Sequence, residues 1–342
     1  MKRLVFTVLF FLLSSSKLDA QAPFYEGKTI RIVVGLPAGD VYDLYARMLA
    51  AHMGKYIRGN PNIIVQNMPG ASTMITANHV YSVAKPDGLT LGSILPSLYF
   101  DQLVGRKEVQ FDWPKFTWLG SFERSNNLLY MRADMPYKNI QDVKKASDPP
   151  KCGSTGTGSP SYYVVRLLNE ATGTKFNIVA GYRGGQEIDL AVERGEVQCR
   201  SFTITSFFAR EPFHTWRKKG FVRVLAQTGK KRDPRLPEVP TVYELMDEYK
   251  TPESTRRLAA VVLASGDFGR PIVATPGIPS DRVKILREAF SKAVSDPELL
   301  AEAKKKQLEV DPTTGEELEV LAKEVIAQPL EVIERMRNVL GK

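Results

Sequence analysis

Three short junctions in this sequence combine small residues, hydroxyls and a helix start in a way that suits anion binding. They are Pro37-Ala38-Gly39-Asp40, Pro69-Gly70-Ala71-Ser72 and Gly153-Ser154-Thr155-Gly156-Thr157-Gly158-Ser159-Pro160. Each follows an apolar run and precedes a segment with helical spacing. A helix N-terminus at such a place offers unpaired N–H donors and about half a positive charge. The third junction is the most pointed. Ser159 stands where an N-cap belongs and Pro160 at the first helical position, so the Gly/Ser/Thr loop leaves backbone and hydroxyl donors bare. The candidate ligand-binding residues are Pro37, Ala38, Gly39, Asp40, Ala71, Ser72, Ser154, Thr155, Gly156, Thr157 and Ser159, with Ser93 at the end of another strand. Tyr182 and Arg183 close a further strand and add a hydroxyl and a charge.

Catalytic patterns are missing. The three histidines, His52, His79 and His214, form no His-Glu-x-x-His motif, and there is no Cys-x-x-Cys pair, no Gly-x-Ser-x-Gly elbow and no P-loop. His52 falls on the apolar face of a helix and is expected to be packing, His79 helix surface, and His214 part of an aromatic loop with Phe213 and Trp216. Asp189 and Glu193 are four residues apart, the pattern of a solvated helix face. No catalytic residue, metal or cofactor is therefore expected. The basic runs at 230–232 and 304–306 are local and come with no nucleic-acid motif, so no nucleic-acid partner is expected.

The elements that would position these junctions alternate between strand and helix. Residues 29–36 read as a buried parallel strand, followed by a helix from Asp40 to about Ile57, with Asp40 and Asp43 resembling a capping box. Strands over 62–66 and 89–95 flank a helix over 72–83. The pattern then restarts with strands at 116–122, 127–131 and 151–154, a helix over 160–172 and a strand at 176–180. A helix over 185–194 and strands at 197–202 and 222–227 follow, and the tail from Leu258 is expected to return to strand and then to amphipathic helices. Alternation of this kind predicts open α/β sheets with right-handed crossovers. The restart predicts two lobes, residues 23–125 with 229–342 and residues 126–228, crossed near 122–127 and 227–230, with a cleft at the carboxyl ends of their strands.

A length of 342 residues suits two domains, and 43% hydrophobic with 25% charged residues excludes disordered and fibrous classes. Residues 1–22 read as a signal peptide: Lys2 and Arg3, an apolar run from Leu4 to Leu13, and Ala20-Gln21-Ala22 as the cleavage site. Without them the chain carries 44 basic and 37 acidic residues, a net +7 that favours anionic partners. Export places Cys152 and Cys199 where a disulfide persists, and adjacent first and third strands of the second lobe would bring them together. Two buried free thiols are the alternative.

The chain resembles the substrate-binding proteins of tripartite tricarboxylate transporters, the TctC or Bug family. The resemblance runs through residues 30–39, Asp43-Leu-Tyr-Ala-Arg47 with Gly59-Asn60-Pro61, Gln66-Asn67-Met68-Pro69-Gly70-Ala71 and Pro86-Asp87-Gly88. It continues through 153–161, Tyr182-Arg183-Gly184, residues 193–197 and, most specifically, Leu236-Pro-Glu-Val-Pro-Thr-Val-Tyr-Glu-Leu245. It implies a two-lobed type II periplasmic binding protein fold whose lobes are joined by a hinge. It further implies a monomeric periplasmic receptor for a small carboxylate or related oxyanion, delivering it to one large and one small membrane subunit. The sequence departs from the family at Gly39-Asp40-Val41, where a glycine run is usual, and at Ser72-Thr73. A sensor or scavenger on the same fold and a secreted enzyme on the same scaffold are the alternatives.

Overall fold

The computed structural model describes residues 23–340, so the expected signal peptide lies outside the described residues. Among the described residues no helix is long and apolar enough to cross a membrane. Two mixed sheets carry the architecture. In the first, β1 (Thr29–Val34) pairs in parallel with β2 (Asn62–Asn67) and β3 (Thr90–Ser93), and β4 (Thr117–Ser121) lies further out. In the second, β5 (Asn127–Arg132) is antiparallel to both β8 (Cys199–Thr203) and β9 (Val222–Gln227). There β6 (Lys151–Ser154) runs parallel to β7 (Asn177–Ala180) and β8. The chain then returns to the first sheet as β10 (Pro271–Ala274), between β3 and β4, and β11 (Thr313–Thr314), giving the orders β11-β4-β10-β3-β1-β2 and β7-β6-β8-β5-β9.

Each sheet thus holds a parallel second-first-third trio, β2-β1-β3 and β7-β6-β8, closed by an antiparallel strand from the crossing segments. In such a trio the helices start at the carboxyl ends of the strands, so both sheets present their loops to one cleft. The trio also sets β6 beside β8 with Cys152 opposite Cys199. Their Cα atoms are 4.4 Å apart and a disulfide joins them, so they are not free thiols.

The crossing segments are tied together. Ser125 N donates to Gly266 O at 2.8 Å and Arg270 N to Ser121 Oγ at 2.8 Å. After β9 the chain first lays helices Val242–Glu248 and Glu253–Leu263 against the second-lobe helix Pro160–Thr172, where Thr251 Oγ1 donates to Ala171 O at 2.6 Å. The tail does return to strand and then to helices, but the strand comes at Pro271 rather than close to Leu258. Leu258 is buried in a helix, because its apolar neighbours at 259, 261 and 262 follow helical spacing.

Other boundaries differ for local reasons. The first helix is Val41–Met53 with a 3-10 turn at Gly54–Tyr56. The second begins at Met74 rather than Ser72, since Ala71, Ser72 and Thr73 have φ of 45°, 51° and 72°, left-handed values that a right-handed helix excludes. His214 lies in a short helix, Phe213–Lys219, not in a loop.

Candidate functional site

The two sheets' loops enclose a cleft with a wide mouth and a narrow inner end. The mouth, about 530 Å³, is lined by Pro37, Ala71, Ser72, Tyr182 and Arg183. The inner end, about 70 Å³, reaches Ser159, Tyr163, Arg200, Arg210 and Arg270, and Asp40 and Thr155 line both.

The first junction is largely engaged with itself. Asp40 Oδ1 accepts from Tyr42 N at 3.0 Å, an N-cap, while Asp43 Oδ2 accepts from Gly39 N at 2.9 Å. This is not the reciprocal capping box expected, because Asp43 reaches back past the cap residue. Burial opposes the Asp43 charge, but hydrogen bonds from Arg47, Gly39 and Asn67 outweigh it and hold the carboxyl below its ordinary range. Ala38 and Gly39 are exposed and outside the cleft lining, and the Gly39 amide is already used. Ser93 ends β3, buried in the sheet, with its carbonyl accepting from Gly35 N at 3.0 Å.

The second-lobe loop is a hydroxyl cluster. Ser159 stands at the N-cap position before Pro160, yet its side chain caps no helix amide. Its Oγ instead donates to Gly156 O at 2.7 Å and meets Ser161 Oγ at 2.7 Å and Ser154 Oγ at 3.2 Å. The expected side-chain cap is thus replaced: Pro160 has no N–H, the amides of Tyr162 and Tyr163 donate to Ser159 O at 2.9 and 3.1 Å, and of this first turn the Ser161 amide is left for the cleft. Of this loop Thr155 and Ser159 line the cleft, whereas Ser154 is fully buried behind them. Gly156 and Thr157 face the other lobe. A Cβ on Gly156 would lie 2.8 Å from Ser72 Oγ, and Thr157 Oγ1 donates to Asp101 Oδ1 at 3.4 Å. Ser97 adds a hydroxyl donated to Gly158 O.

Charge at the mouth differs from charge inside. Arg183 is 89% exposed and paired with Glu187 at 2.8 Å. Asp189, expected on a solvated face, is buried: its Oδ1 lies 2.5 Å from Arg200 Nη1 and its Oδ2 3.2 Å from Arg210 Nη2, and Tyr130 OH donates to it at 3.3 Å. The reason is that the Gly185–Glu193 helix turns this position, with Ile188 and Val192, inward against the second sheet. Arg270 and Glu123 form a second buried pair, 2.8 Å apart, joining the two crossings. Thr205 donates to Glu123 at 2.9 Å and Arg270 donates to Thr203 at 2.9 Å. Burial pushes the Glu123 carboxyl up, and Arg270 pulls it back.

Arg200, Arg210 and Arg270 escaped the sequence reading. The signal for Arg200 was a guanidinium in the middle of a strand whose five residues are all buried. His52 packs as expected, its side chain 13% exposed, but with a polar edge. Its Nε2 faces Glu302 at 3.2 Å, beside Asp296 and Glu298, both of which Lys55 Nζ pairs with at 2.5 and 3.0 Å.

A family model described as the tripartite tricarboxylate transporter family receptor matches residues 45–338. The chain belongs to this receptor family. Receptors of the tripartite family bind solutes and are not enzymes, and the two-lobed periplasmic binding protein fold is shared with solved structures. The chain is 27% identical over 329 residues, 95% of its length and 92% of the relative's, to the UPF0065 protein in the gbd 5' region of Cupriavidus necator. The periplasmic binding protein BugD superposes with a TM-score of 0.71 at 22% identity, covering 92% of this chain and 98% of that one. A Rhodopseudomonas palustris protein with adipate gives 0.70 at 20% identity (92% and 97% covered). MatC of the same organism with bound malate gives 0.68 at 23% identity (92% and 99%).

Proposed function

We propose that this chain is a periplasmic receptor that captures a small carboxylate in the cleft and hands it to the large and small membrane subunits of a tripartite transporter. The observation that carries the carboxylate reading is the inner cleft itself. It combines the Ser161 amide at a helix N-terminus, a hydroxyl cluster, the buried Arg200 and Arg270 and the half-buried Arg210, facing two buried carboxylates and Asp40. Adipate and malate in two structural neighbours support it. Family membership supports the transporter partners and export, with residues 1–22 as the leader. The protein acts as a monomer whose lobes close on the solute about the two crossings. The bonds of Gly266 to Ser125 and of Arg270 to Glu123 favour a second crossing at 264–270 over one at 227–230.

The test is a thermal-shift panel of mono-, di- and tricarboxylates, aromatic acids, amino acids, sugars and polyamines, followed by calorimetry on the hits. Solute at a hundredfold its Kd stabilises by about 2.7 kcal/mol, a readable rise in Tm. Binding only of uncharged sugars or polyamines would contradict the reading.

A further inference from the structure

We infer that Arg200, held by Asp189 and backed by Arg210, is a charged anchor for one carboxylate of the solute at the inner end of the cleft. The inference rests on the carboxylate-receptor reading and adds the residue that supplies a full charge.

The ion pairing carries it. Asp189 is the one carboxylate paired with both Arg200 and Arg210, and it also accepts from Tyr130. Glu123 is committed to Arg270. Asp40 acts on Arg200 through space from the opposite lobe, but its Oδ1 caps a helix and no ion pair joins it to either arginine. Arg200, 7% exposed, thus shares its one paired carboxylate with Arg210, and Asp40 offsets the pair only through space. A guanidinium held so far from water gains from a second anion beside it.

Donor geometry points the same way. Among the described residues, the buried Nε atoms of Arg200 and Arg210 have no hydrogen-bond partner. A guanidinium that lines a cleft with donors to spare is suited to two-point recognition of a carboxylate. The side chain is also held rigidly. Its guanidinium lies 4.4 Å from the Phe202 ring centroid, and a Cβ on Gly185 would sit 2.2 Å from Nη2, so only glycine at that helix start leaves it room. Arg183 has none of this: it is solvated and already paired.

Calorimetry on the mature protein with succinate, L-malate and adipate, each beside its half-amide and diamide, tests the anchor. The wild type is expected to bind at least one diacid and to prefer it to the amides. Arg200→Gln is expected to lose roughly 10- to 100-fold of that affinity and most of the acid-over-amide preference, the scale of one charged hydrogen-bonding group. The Asp189→Asn/Arg200→Gln double variant, which leaves no lone buried carboxylate, is expected to show the same loss with a native circular dichroism spectrum. Arg194→Gln, an exposed arginine of the same lobe, is expected to match the wild type. Equal diacid affinity in wild type and in whichever Arg200 variant folds overturns the anchor and leaves the receptor reading standing. A wild type that binds no carboxylate overturns both.

Discussion

One helix, Gly185–Glu193, carries two carboxylates that each hold an arginine, and the two pairs belong to different physical regimes. Glu187 meets Arg183 at the cleft mouth, with the arginine 89% and the glutamate 39% exposed. Asp189, half a turn on, meets Arg200 with the two side chains 9% and 4% exposed. Water and ions screen the first pair, so it fixes little. The second sits where desolvation is costly, and its value depends on every partner being present. A polar residue's place in the cleft therefore says less about its role than its distance from water.

Removing the buried carboxylate should show this most strongly. Asp189→Ala leaves two guanidiniums without their shared partner and is expected to lower unfolding stability by about 3–5 kcal/mol, read by urea denaturation. Asp101, at the rim contact with Thr157, offers a third carboxylate that sharpens the contrast. Burial raises its pKa to about 6, against the opposing pull of Arg106. Between pH 4 and pH 6 the folded chain then binds more protons than the unfolded one, so this group's contribution falls as pH rises through that window. Asp101→Asn is expected to flatten stability between pH 4 and 6 by on the order of 2–3 kcal/mol, measured as urea midpoints across pH.

Gly156→Val probes the backbone side of the site. At φ 147° and 2.8 Å from Ser72 Oγ, a side chain is strained and crowds the lobe contact. It is expected to cost about 1–3 kcal/mol of stability and to weaken solute binding in calorimetry. Asp40→Asn keeps the N-cap, since asparagine caps as well as aspartate, but removes a negative charge that acts on Arg200 and Arg270. Carboxylate affinity is expected to rise roughly two- to tenfold. Smallest of all is Glu187→Ala at the mouth, whose denaturation midpoint is expected to coincide with that of the wild type.

How far the sequence reached follows the same division between local and long-range causes. Lys151–Ser154, Pro160–Thr172 and Val222–Gln227 have the bounds expected, because β-branched runs, a Gly/Ser loop and Pro at a helix start are local signals. The Gly/Ser/Thr loop was legible as a cleft element for the same reason, and Thr155 and Ser159 do line the cleft. Asp189 and Arg200 were not. Four residues separate Asp189 from Glu193, and nothing local tells which of the two turns toward a strand eleven positions away from Asp189. The left-handed run Ala71–Thr73 was equally hidden, since none of the three is glycine. Arg270 gained its role only when the chain's return crossing met Glu123 from a segment 147 positions earlier.

The proposed solute is an anion gripped deep in the cleft by a helix terminus and a buried arginine. A crystal structure of the protein carrying the solute it retains from expression tests it most directly. The expected result is a small acid with one carboxylate within about 3 Å of the Arg200 guanidinium or the Ser161 amide. A neutral sugar, a polyamine, or an acid held at the mouth by Arg183 would contradict it.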